Sequence, residues 1–140
     1  MVEPTDISLD GFSERVRENR RELIGLIRRI KNKGKQIVGV SAPAKGNTLL
    51  NYCKIDTELL DYIVEINPLK IGKFTPGTHI PVVHEDRIIE DQPEYALLLA
   101  WNFKEPIKKA LWGKGYRGRF IVPIPEPHIE ALDNWHNISL

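Results

Sequence analysis

Four short apolar runs limit most strongly what this chain can fold into. They are Gln36-Ile-Val-Gly-Val40, Tyr62-Ile-Val-Glu-Ile66, Tyr95-Ala-Leu-Leu-Leu-Ala100 and Arg119-Phe-Ile-Val-Pro123. The first has no polar alternation, which suits a strand covered on both faces of a parallel sheet. A shorter run, Ile80-Pro-Val-Val83, adds a further strand, and Pro81 places it at an edge because proline cannot donate to a ladder. Helical patterns separate the runs. Residues 13–33 form an amphipathic helix capped by Ser13, with Val16, Leu23, Ile27 and Ile30 on one stripe and Gly34 as its stop. Asn47–Cys53 and Phe103–Leu111 read as two shorter helices. The tail carries Pro123, Pro125 and Pro127 at alternate positions and reads as extended.

Strands alternating with helices predict an α/β fold. Right-handed crossovers make it a Rossmann-like three-layer domain with a mostly parallel sheet of about five strands, order 3-2-1-4-5. The 140 residues suit one domain, taken as 1–140, and 41% hydrophobic with 28% charged residues excludes a disordered chain. No window reaches the run of about 18 apolar residues that spans a bilayer. The first residues, Met1-Val2-Glu3-Pro4-Thr5-Asp6, lack the apolar stretch of a signal peptide. A single cysteine, Cys53, excludes an internal disulfide framework and a cysteine-rich zinc site. The expected compartment is the cytoplasm, with no membrane association and no bound metal.

The predicted strand order reverses between strands one and four, and ligands of open α/β sheets bind beyond the carboxyl ends at such a switch. Ser41-Ala-Pro-Ala-Lys-Gly46-Asn47-Thr48 and Trp101-Asn102-Phe103 stand there. The first leads into a helix amino terminus, where free N–H groups and the helix dipole favour an anion. Lys45 adds positive charge, and Ser41, Asn47 and Thr48 add donors, so phosphate or diphosphate is the natural guest. The segment is neither a Walker A loop nor a G-x-G-x-x-G fingerprint. A plain strand-to-helix turn, with Lys45 solvated and Asn47 as the cap, explains it equally well. Asn102 can bind a ligand or pin the neighbouring loop. Trp101 can stack a base or cover the core. His79 is the best acid–base candidate among the histidines, yet the predicted sheet polarity puts it at the end opposite the crevice.

Charge is uneven. Residues 12–36 carry nine Lys/Arg and three acids, a local +6, against −5 for the remainder and +1 overall. Such a helix is a solvated face or a docking surface for an acidic partner. Nothing else in the sequence points to nucleic acid.

Four segments together carry a family resemblance: Ala42-Pro-Ala-Lys-Gly-Asn-Thr-Leu-Leu-Asn-Tyr-Cys53, Asn67-Pro68 with Lys70, Pro76-Gly-Thr-His-Ile-Pro81, and Trp101-Asn102 followed by Gly118-Arg-Phe-Ile-Val-Pro-Ile-Pro125. They resemble the C-terminal domain of S-adenosylmethionine-dependent nucleotide-sugar C-methyltransferases over roughly residues 12–127. Those enzymes also have a zinc-binding region and a methyl-donor domain, which this sequence lacks. The resemblance implies a module for a nucleotide sugar or another phosphate-containing ligand, serving deoxysugar biosynthesis beside a methyltransferase partner domain or chain. No cofactor is then expected on this chain, and S-adenosylmethionine enters only through the partner. It also implies a binding loop of Ala44, Lys45, Gly46, Asn47 and Thr48, with His79 and Asn102 in the other motif segments. Two departures stand out. Gly39-Val40-Ser41 replaces the Gly-Tyr-Gly usual before the loop, and Lys54 replaces a glycine after the cysteine. The alternatives are a subunit that docks through the basic 13–33 helix, or a small self-sufficient enzyme using His79 or Lys45.

Overall fold

Eleven elements follow one another in the computed structural model, which describes residues 3–131, with side chains from residue 14 onward. They are α1 (Glu3–Asn32), β1 (Ile37–Val40), α2 (Ala44–Cys53), β2 (Ile63–Glu65), β3 (Val82–His84), α3 (Asp86–Asp91), β4 (Tyr95–Leu98), a 3-10 turn (Trp101–Phe103), α4 (Lys104–Lys114), β5 (Arg119–Val122) and β6 (His128–Glu130). The six strands form one sheet in the order β3-β2-β1-β4-β5-β6. The first five are parallel, as the apolar runs require, and β6 returns antiparallel to β5.

The pleat divides the core in two. Ile37, Ile63, Leu97 and Ile121 face α1 and α2, where they meet Leu23, Ile27, Ile30 and Leu50. Val38, Val64, Ala96, Leu98, Phe120 and Val122 face the other way, toward Ile88 of α3 and Leu111 of α4. Adjacent residues of every central strand therefore feed opposite layers, which is why the runs show no polar alternation. Gly39 is where β1 and β2 pack closely: a Cβ there would come within 2.8 Å of Ile63.

The structure corrects three expectations and adds two elements. The first helix begins at Glu3, not near Ser13, so Ser13 lies inside it and is not its cap. The helix after β1 starts at Ala44, three residues before Asn47, so Asn47 is not a cap either. The sheet keeps the expected order of about five strands and adds a sixth beside the fifth. The proline-rich tail is not simply extended: Ile124–Pro125 is cis, and the chain then pairs with β5. A short helix, α3, also stands where none was expected. β3 is an edge strand of this sheet, as Pro81 suggests, and Pro81 bridges antiparallel to Phe74 beyond it.

A crevice at the carboxyl ends of the strands

The strand order reverses between β1 and β4, and the loops leaving these two strands open a crevice at their carboxyl ends. The loop after β1 is under backbone constraint. Ser41 has φ +73°, the left-handed region, which costs a non-glycine residue about 1–2 kcal/mol. Its neighbours hold it there. Ser41 N donates to Val64 O at 2.8 Å. Glu65, only 7% exposed, accepts from Ala42 N at 2.9 Å through one carboxylate oxygen. Its other oxygen accepts from Ile66 N at 3.0 Å and Asn67 N at 3.1 Å. Lys70 Nζ donates to Ala42 O at 2.7 Å. Glu65 and Lys70 thus clamp the two loops together; the sequence reading had Lys70 only as part of a motif segment and did not single out Glu65. The available signal was an acid inside an otherwise apolar strand.

Beyond this loop α2 begins without a side-chain cap, because Pro43 occupies the cap position. Its first amides, on Ala44, Lys45 and Gly46, open the helix, and Asn47 N makes the first turn bond, to Pro43 O at 3.0 Å. Such an end presents N–H groups and partial positive charge. Lys45 is exposed on the same turn. Thr48 is occupied locally, donating to Ala44 O at 3.1 Å. Asn47 is half-buried, and its Oδ1 has no hydrogen-bond partner among the described residues. Gly46 serves packing: a Cβ there would lie 2.7 Å from Leu99 Cβ and 3.0 Å from Leu99 O. Only glycine lets α2 lie this close to the end of β4.

Two hollows flank this point. One, of about 220 Å³, lies between Ala44 and Lys45 on one side and Ala100, Trp101 and Asn102 on the other. The second, of about 330 Å³, lies between Ser41 and Glu65 at the sheet and Pro106, Ile107 and Ala110 of α4. Glu85 and Lys114, paired with each other, also line it. Phe103 belongs to both hollows and is 63% exposed, an aromatic face presented to solvent at the mouth of the crevice. Ser41, Ala44, Lys45, Trp101 and Asn102 are therefore gathered at one end of the sheet. Gly46, Asn47 and Thr48 lie on the helix behind them.

His79 is not brought there. It sits in the loop before β3 with φ +57°, its ring stacked on Phe74 at 4.3 Å, and its backbone N donates to Thr75 O at 2.8 Å. That loop is tied to the last turns of α2 by Asn51 Nδ2 donating to Pro76 O at 3.0 Å. His84 accepts from Asp86 N, His128 contacts Glu130, and His136 lies outside the described residues. Cys53 is buried, and loss of solvation pushes its thiol up to about 11, so it is not a thiolate nucleophile. No group of three or more His, Cys, Asp or Glu that could hold a metal occurs among the described residues. None of the described helices is long and apolar enough to cross a membrane.

Residues 5–125 match the family described as the C-methyltransferase C-terminal domain. The chain belongs to that family. It is also 38% identical over 124 residues to the C-methyltransferase NovU of Streptomyces niveus. The match takes in 86% of this chain but 28% of NovU, so the chain spans little more than a quarter of that relative's length. The matched stretch contains α1 through β5 and the whole crevice, whereas β6 lies beyond it. Ser41 and Lys54 stand where the resemblance expects glycine, and both are left-handed here, at φ +73° and +56°. Lys54 closes α2, its N–H bonding to the carbonyls of Leu50 and Asn51.

Proposed function

We propose that the crevice binds a nucleotide-linked sugar, or a related phosphate-bearing small molecule, and presents it to a methyltransferase domain or chain that carries the S-adenosylmethionine. This chain works in the cytoplasm, as one domain, without a cofactor of its own. The observation that carries the reading is the uncapped amino end of α2, which opens with Lys45 onto the hollow facing Asn102. An anionic group there meets backbone N–H donors, the helix dipole and a lysine together. The flat apolar part of such a ligand fits against Phe103, which borders both hollows. The test is a titration with nucleoside diphosphate sugars followed by amide NMR. Saturable shifts across Lys45–Thr48 and Asn102, weakened about tenfold in Lys45→Ala, are the expected outcome. No response at millimolar ligand would end the proposal.

A second reading rests on α1. Arg15, Arg28 and Arg29 are exposed on the helix, and Lys33 and Lys35 follow it. This surface fits an acidic partner protein. Reversing Arg28 and Arg29 to Glu should then abolish association with the partner methyltransferase; unchanged association would remove the idea.

A further inference from the structure

The other end of the sheet holds a concentration of positive charge that the crevice does not use. An open hollow of about 490 Å³ lies at the amino ends of β1, β4 and β5. Lys35, Arg117 and Arg119 line it, and Glu94 is the only acid among its lining residues. Lys31, on the last turn of α1, also acts on Glu94. Glu94 does not serve these cations alone, because its Oε1 accepts Gln36 N at 2.7 Å. Three cations therefore line a hollow whose one acid is already committed to the backbone, and a fourth, Lys31, acts on that acid from α1.

Arg117 is held in place by its side chain, and Arg119 by its backbone. Arg117 Nη1 donates to Trp112 O at 2.8 Å and Tyr116 O at 3.0 Å, and its guanidinium lies 3.7 Å from the centre of the Trp112 ring. A guanidinium fixed as a plane loses little freedom when it binds a second partner. Arg119 opens β5, and its N donates to Glu94 O at 2.9 Å, so the position of its backbone is set by the sheet. Between them Gly118 packs where a Cβ would come within 2.6 Å of Pro93 O. Tyr116, fully buried, fixes the same corner by donating its hydroxyl to Pro93 O at 2.8 Å. The spacing of the two arginines is thus a property of the core rather than of a loose loop.

We propose that this hollow is a second anion site, separate from the crevice, for a diphosphate group, either free or carried on a nucleotide. A fixed guanidinium with a second arginine and a lysine beside it matches a group with several phosphoryl oxygens better than a single carboxylate. The hollow takes a small molecule rather than a long segment of chain.

The test titrates the full isotope-labelled chain with inorganic pyrophosphate at constant ionic strength. Saturable amide shifts are expected at Lys35, Gln36, Arg117, Gly118 and Arg119. Arg119→Gln should raise the dissociation constant about tenfold and Lys35→Gln several-fold, both with unchanged circular dichroism. Lys45→Ala, at the crevice, should leave these shifts unaltered. A parallel titration with a nucleoside diphosphate separates the sources: tighter binding than pyrophosphate identifies a nucleotide, equal or weaker binding a free diphosphate. Shifts that sodium chloride reproduces, that fail to saturate, that survive Arg119→Gln, or that vanish in Lys45→Ala would each overturn the proposal.

Discussion

Glu65 and Glu130 both sit largely out of solvent, and they meet that cost in opposite ways. Glu65 spends its two oxygens on three backbone N–H groups and so joins the loops after β1 and β2. Glu130, on β6, is surrounded by side-chain cations. Lys108, 5% exposed, and Lys104, at 2.6 Å, reach it from α4, and His128 reaches it at 2.8 Å from its own strand. A carboxylate bonded to amides fixes a backbone shape. One bonded to cations fixes which element lies beside which. The first device builds the crevice; the second attaches a strand outside the matched family region.

The difference can be broken one residue at a time. Glu65→Ala should have the largest effect, about 3 kcal/mol of stability in chemical denaturation, because three amides in partly buried loops lose their acceptor. The same variant should abolish ligand-induced shifts at Lys45–Thr48, since the loop before α2 loses its clamp. Glu130→Gln should cost about 2 kcal/mol and leave those shifts intact, because the cations lose their shared anion but the crevice does not move. An equal effect of both variants on the crevice would erase the distinction.

Acid gives a milder version of the second experiment. Burial alone would raise the Glu130 carboxyl, but the hydrogen bonds from Lys104, Lys108 and His128 outweigh it and bring it down to about 2 from an ordinary 4.5. A lowered carboxylate contributes stability that is complete above the unfolded value and is lost as pH falls through the folded one. The contribution of β6 should therefore be whole above pH 4.5 and fade toward pH 2, and Glu130→Gln should flatten that part of the stability profile. The smallest expected effect has the opposite sign. Ser41→Gly should stabilise the chain by up to about 1 kcal/mol by relieving the left-handed serine, read as a rise in denaturation midpoint.

Most of the sheet was legible because its order follows from buried apolar runs and the handedness of their crossovers. The short elements were not. α3 has six residues, too few for a helical period to show, and β6 has a single apolar residue, Ile129, among its three. Its partner signal is the set of lysines on α4, distant in sequence. The start of α1 was misplaced because Ser13 looks like a cap when read locally. At the crevice, reading for donors and cations found Ser41, Lys45 and Asn102. It missed Glu65, whose part is to hold the loops. Gly46, placed in the binding loop by the resemblance, also meets a packing demand, its contact with Leu99.

The placement of β6 has one more consequence. A parallel sheet that ended at β5 would leave that strand's outer N–H and C=O groups open to pairing with another chain. The hydrogen bonds between β5 and β6 move that border to a strand of three residues, and a handful of charges keep it in place. Solubility of this domain is thus guarded by an ionic clasp at its rim, and conditions that neutralise the clasp should favour edge-to-edge self-association before the core itself gives way.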